Sequence, residues 1–359
     1  MRKKAALPER KYYLDNLRSA ALLLLVVWHI VMGFAFLGVR AALIFHSLID
    51  PWWRELMFVL AGISMNYSLR KRGLGEFIKE RTNKLLVPLL FTLLLFVPVT
   101  QYFYFLLMQG SAHYLDFFTS LPAFVTGKGY GTFGFTQLWF LLFLYPMALL
   151  LAPVVAYVRQ RVEKTASKSQ TAAKKPTFAS KIPWPLLYLF AIIPAAMPAL
   201  SIEMENSTYY SFGKFFAYFL LGYFMFADDG VMEQLEKARF LSLGLFAAAM
   251  ASIYLGPPML RDALSLMIGW FAALAFLGLA RRYFNSGHTL FRYLSKSSFA
   301  IYLFHNSYPG IALYFISKVT ENFLLQFVLI TLFTYAMSFL TYELFKRFRV
   351  TRWMFGLQR

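Results

Sequence analysis

Residues 17–37, LRSAALLLLVVWHIVMGFAFL, decide how the rest of the chain is read. The run is apolar except for Arg18 and Ser19 at its start and His29 further along. A helix needs ~20 such residues, rising 1.5 Å each, to cross the ~30 Å hydrocarbon layer of a bilayer. A membrane-spanning helix is therefore predicted over 17–37. Arg2, Lys3, Lys4, Arg10 and Lys11 precede it, as they would in a signal peptide. The run is too long for one and lacks a small-x-small cleavage site, so an uncleaved first span is expected.

Nine further apolar runs follow, at 52–69, 85–107, 138–158, 183–200, 212–227, 240–255, 263–280, 297–318 and 323–345. The chain is 59% hydrophobic and 15% charged, against ~45–50% and ~25% in soluble domains. The predicted class is an all-α polytopic membrane protein with about ten transmembrane helices. The runs at 52–69, 212–227 and 240–255 are short or interrupted, and are read as spans, tilted segments or re-entrant ones. The 36 Lys and Arg against 17 Asp and Glu leave a net charge of +19. With ten spans and both termini cytoplasmic, 29 of the 36 basic residues fall on the inner side, and six fall outside. Removing one span would reverse every later loop and destroy that bias. The charge is thus mostly topology, and the 40 Phe and 22 Tyr sit within apolar runs, so no nucleic-acid partner is expected.

Residues 1–359 read as a single domain. The segment 159–182, rich in Lys, Ser, Thr and Ala, is expected to be a disordered cytoplasmic loop dividing four spans from six. No inverted repeat of the transporter kind is evident. The segment DDGVMEQLEKAR at 228–239 opens with acids that suit a helix N-terminus, and lies along the inner interface. Cys is absent, which excludes thiolate nucleophiles, Cys-ligated zinc and iron–sulfur clusters. HExxH, GxSxG, Walker and dinucleotide glycine motifs are absent too, and no metal is expected.

Titratable groups at membrane depth are costly and mark candidate sites. Arg18 and His29 are eleven residues apart, which at 100° per residue places them on one helix face, with ~17 Å between them along the axis. Arg18 sits near the inner boundary and His29 near mid-bilayer. Arg18 reads either as a snorkelling anchor or as a site residue, and His29 as a structural histidine or a catalytic one. His305, in SFAIYLFHNSYPG, lies at a similar depth in another span that starts inside, and is structural or functional alike. Pro309 cannot donate to the carbonyl of His305, so a kink is predicted there. Glu343 pairs most simply with Lys346 or Arg347, and Arg54 and Glu55 with neighbours at the outer boundary.

Arg18 and His29 with ten residues between them, behind YYLDNLR at 12–18, resemble the Arg-x10-His signature of the acyltransferase-3 family of integral membrane acyltransferases. MFVLAGISMNYSLRKRG, FIKERTNKLLVPLL, QLWFLLFL and SKSSFAIYLFHNSYP resemble the family's later segments in the same order. The similarity covers about residues 1–350. YYLDNLR and VPLLF also resemble a subgroup of glucan biosynthesis proteins, whose members succinylate periplasmic glucans. AGIS at 61–64, and Lys84 where the pattern has a second Arg, depart from the family.

The resemblance implies transfer of an acyl group, acetyl from acetyl-CoA in the usual case, to a hydroxyl of a carbohydrate, glycolipid or other cell-surface molecule at a bacterial plasma membrane. No bound cofactor is implied; acyl-CoA is the donor substrate. His29 would act as general base or carry the acyl group as acyl-imidazole. Arg18 would orient the CoA phosphates or the thioester carbonyl. Arg70 and Arg81 would contact the polyanionic donor or serve topology alone, His305 would contact a substrate, and Trp139 would stack on an acceptor or anchor the interface. The competing reading is a transporter or exporter of an amphiphilic substrate, compatible with ten spans and buried His, Asn and Pro. The acyl group, acceptor, oligomeric state and need for a partner protein have no signature in the sequence.

Overall fold

The computed structural model describes residues 11–110, 113, 136–166, 181–197 and 211–357. These are helical throughout, with no strand among them. In chain order the α-helices are α1 (Tyr12–Phe36), α2 (Arg40–Ile49), α3 (Trp53–Leu69), α4 (Leu74–Arg81), α5 (Val87–Leu95), α6 (Val97–Gln109), α7 (Trp139–Ala166), α8 (Ile192–Ala196), α9 (Phe212–Phe224), α10 (Asp229–Lys237), α11 (Arg239–Leu255), α12 (Pro258–Ser265), α13 (Ile268–Tyr283), α14 (Thr289–Phe304), α15 (Ser307–Ile316), α16 (Phe323–Phe345) and α17 (Arg349–Met354). Each of the ten apolar runs contains a helix, yet they differ in length. Four helical stretches, Tyr12–Ala35, Leu74–Leu107, Thr136–Arg161 and Phe323–Phe345, are long and apolar enough to cross a membrane. Counting the bent pairs α9 with α10 (104°) and α12 with α13 (52°) as one span each raises the number to six. This is a membrane protein, and by length and composition its described residues hold four to six candidate spans. The 17 residues of α3 rise only ~26 Å, short of the hydrocarbon thickness. Most of α3 is buried in the bundle, so protein rather than lipid covers its ends.

Proline sets the breaks. Pro88 follows a π-helical turn over Thr82–Leu86, where the widened backbone accommodates a ring that would clash with the carbonyl four residues back. The predicted kink before Pro309 is a full break: α14 ends at Phe304, α15 begins at Ser307, and the carbonyl of His305 accepts from the Tyr308 N–H at 3.2 Å. Helix α7 continues to Ala166, so the expected loop at 159–182 begins as helix, and its middle, 167–180, lies outside the described residues. The outer loop expected at 108–137 lies mostly outside them as well.

Helix α3 is the hub. It meets α9 at backbone contact: a Cβ on Gly62 would lie 2.0 Å from the Phe219 carbonyl oxygen, and one on Gly222 would lie 2.3 Å from that of Val59. Such close approach is how helices associate where no hydrophobic effect separates them from lipid. Around this pair α1 packs on α14, α2, α13 and α16, which aligns the stripe of α1 with the broken end of α14. Helix α16 keeps Leu324, Leu332, Phe333 and Leu340 exposed, a surface suited to lipid tails.

Candidate active site

The stripe on α1 connects two adjoining spaces. The wider is a cavity of about 240 Å³ lined by Arg18, Arg81, Lys84 and Lys296, and also by Ser64 and Leu357. Its charged side chains come from α1, α4, the π turn and α14, and no carboxylate is among its lining residues. Arg18 donates to Ser64 Oγ at 2.5 Å and lies 3.8 Å from Asp15. Lys84 pairs with Glu80 at 2.7 Å. The Arg81 guanidinium lies over the Phe77 ring, 4.9 Å from its centre, and its Nε is buried without a hydrogen-bond partner. A buried donor without a partner is costly, and an anion entering the cavity would satisfy it.

The second space is far smaller, about 10 Å³, and borders His29. Leu25, Trp53, Gln137 and Trp139 line it, and it shares Leu22, Met57, Phe140 and Tyr302 with the larger cavity. Trp139, at the start of α7, packs against Phe58, Phe143 and Phe215 as well as bordering this space.

The two histidines meet here. His305 Nε2 lies 3.2 Å from His29 Nδ1, with ring centres 4.9 Å apart. His305 Nδ1 lies 3.0 Å from the Ile301 carbonyl oxygen and 2.9 Å from that of Tyr302. Carbonyls only accept, so this nitrogen carries the hydrogen and the Nε2 lone pair faces His29. His29 Nδ1, also 3.0 Å from the Leu25 carbonyl oxygen, must then be the donor. With both rings neutral, the His29 lone pair is left on Nε2, and no group among the described residues hydrogen-bonds that atom. His305 is fully buried, whereas His29 retains accessible surface. Of the two rings, His29 is the one with surface toward the small space, and His305 stands behind it. The break before Pro309 frees the end of α14 to turn the His305 ring inward. Tyr302 and Gln137 brace it, since Tyr302 donates to the Gln137 carbonyl oxygen at 2.6 Å and the Gln137 amide donates to that of Leu303 at 2.9 Å.

Of the residues singled out from sequence, Arg18, Arg81, His29, His305 and Trp139 thus gather along one path. Arg70 does not: it is exposed at the end of α3 and lines neither space. Arg54 is 3.2 Å from Asp50 and Glu55 accepts from Lys214 at 2.6 Å, the boundary pairing expected of them. Glu343 accepts from Lys346 at 2.5 Å and from Tyr293 at 3.0 Å. Lys296 is visible in the sequence only as part of the inner charge excess, whereas Lys84 is the position at which the family pattern has its second Arg. Ser64 belongs to AGIS, and that departure supplies the partner of Arg18.

The profile of an acyltransferase domain, the acyltransferase-3 family, matches residues 11–343. The chain belongs to the acyltransferase-3 family. It is a membrane acyltransferase, and both spaces lie within the matched region except for Gly356 and Leu357 of the outer wall. No curated protein and no solved structure matches the chain.

Proposed function

We propose that this acyltransferase moves an acyl group, acetyl from acetyl-CoA, from the cytoplasmic side onto a hydroxyl of a carbohydrate or other cell-surface molecule at a bacterial plasma membrane. The observation that carries the reading is the shared wall between a cavity with four cations and the free Nε2 of His29. Coenzyme A is built to match that path, with phosphates at one end and a sulfur at the end of a long flexible arm. The phosphates would sit among Arg18, Arg81, Lys84 and Lys296, and the thioester would reach His29, ~17 Å further along α1.

His29 Nε2 would take the proton of the acceptor hydroxyl as its oxygen attacks the thioester carbonyl. The carbon–sulfur bond then breaks, the thiolate leaves, and the proton passes from His29 to that sulfur. The products are an ester and free CoA. His305 would hold the His29 ring in the tautomer that presents Nε2. In this reading the chain would cross the membrane ten times with both termini cytoplasmic, through four to six full-length spans and shorter or broken ones, and the cavity would face the donor side.

Purified protein in detergent, given labelled acetyl-CoA and an envelope extract from a strain lacking the gene, should release free CoA and label the extract. A transporter would do neither, and that outcome would overturn the proposal. Mass spectrometry of surface glycans from the same strain should show a lost acetyl substituent and so identify the acceptor.

A further inference from the structure

We infer that the turn after α17, Phe355–Leu357, is a wall of the larger cavity and belongs to the site that takes the polyanionic end of the donor. The inference rests on the proposed seating of acyl-CoA among the four cations. It adds residues that the family match, which ends at 343, does not reach.

The sequence builds this turn locally. Gly356 has φ +61°, the left-handed conformation that glycine adopts without a Cβ clash. The Leu357 N–H donates to the Arg352 carbonyl oxygen at 2.9 Å and the Gly356 N–H to that of Trp353 at 3.3 Å, the paired bonds that end a helix and reverse the chain. The reversal brings Leu357 back to the cavity, which it lines together with Gly356. Phe355 fixes the turn from beneath. It is buried, and its ring centre lies 5.0 Å from that of Phe304, 5.2 Å from that of Phe345 and 5.7 Å from that of Phe96. The Thr351 hydroxyl donates to the Phe345 carbonyl oxygen, and the Arg352 guanidinium to that of Lys346 at 3.0 Å, so the short helix is tied to the end of α16.

The turn is wedged between two segments that carry cations. A Cβ on Gly356 would lie 3.2 Å from the Pro88 ring and 3.6 Å from both Lys84 Cα and the Phe299 ring. Lys84 belongs to the π turn, and Phe299 follows Lys296 by three residues on α14. An anion held between Lys84 and Lys296 would therefore rest against the turn. Charge agrees with that placement, since residues 349–357 contain Arg349 and Arg352 and no acid.

The 359 residues contain no cysteine, so the Leu357→Cys variant has one thiol, to which charge can be attached after the protein has folded. In detergent at low salt, saturating CoA should slow the reaction of that thiol with a methanethiosulfonate reagent at least ~5-fold, because bound ligand excludes the reagent by mass action. The thiol of Trp353→Cys, on the same helix but exposed and not lining the cavity, should react at a rate that CoA does not change. Attaching a sulfonate at Leu357→Cys should raise the Kd for CoA about tenfold, whereas a trimethylammonium group should leave it equal or lower it, since a unit charge beside the phosphates acts with opposite sign. The gap should narrow in ~0.5 M salt. Equal CoA affinity with the two attached groups would overturn the inference, as would a Leu357→Cys thiol that CoA does not protect. A wild-type protein that binds no CoA would instead remove the acyl-CoA reading itself.

Discussion

The two spaces along α1 are built from opposite chemistry. The larger cavity is lined by four cations on flexible Lys and Arg stems, whereas the smaller space is walled mainly by Trp, Phe, Leu and Met, with Gln137, Tyr302 and His29. Charge works at a distance and tolerates imprecise placement, which suits the capture of a polyanion. Proton transfer needs atoms within hydrogen-bond reach, which suits a rigid wall and an oriented ring. Under the proposed function, recognition and chemistry would be separated on one helix, and substitutions in the two regions should therefore fail differently.

The largest effect belongs to the smaller space beside His29. His29→Ala should lower CoA release by ~10²–10⁴-fold, the usual worth of a general base, with membrane abundance unchanged; wild-type turnover would erase the distinction between the two spaces. His305→Ala should cost about tenfold in kcat, equivalent to one hydrogen bond of ~1.4 kcal/mol. His305→Gln, whose amide oxygen can accept at the position of Nε2, should recover part of that loss and restore the pH profile. A purely structural role would show no such recovery.

The larger cavity should respond in binding. Arg81→Ala and Lys296→Ala should each raise the KM for acetyl-CoA about tenfold, the low end of a charged hydrogen bond at ~1.5–3 kcal/mol, and leave kcat nearly intact. A fall in kcat with unchanged KM would place these cations at the reacting atoms instead. The smallest effect is expected at Arg70. It is as basic as the others but exposed and away from the cavity, so Arg70→Ala should stay within about twofold on both parameters.

Much of this was readable in advance, and unevenly. The Arg18–His29 stripe follows from eleven residues at 100° each, a property of one helix that needs no partner. The break at His305 follows from the missing N–H of Pro309. The number of spans was harder, because hydropathy detects apolar runs but not whether lipid or protein covers their ends. Helix α3 reads as a span and is a buried hub of 17 residues. Arg70 and Arg81 look equivalent in sequence, both basic and both after the second apolar run. Only the turn from α3 into α4 separates them, sending one outward and the other over Phe77.

By itself, then, the amino-acid sequence determined the helical class, the membrane setting, the family, and the pairing of a cation with a histidine on one face of α1. These are local or additive properties, set by hydropathy, by helical periodicity and by the order of motifs. Tertiary structure alone decided that His305 stands behind His29 with its Nε2 3.2 Å from the His29 Nδ1, that four cations from four segments face one cavity, and that a second, much smaller space borders His29. Those depend on how α1, α3, α7 and α14 pack together, and side chains 276 residues apart in the chain carry no mark of their contact until the helices meet.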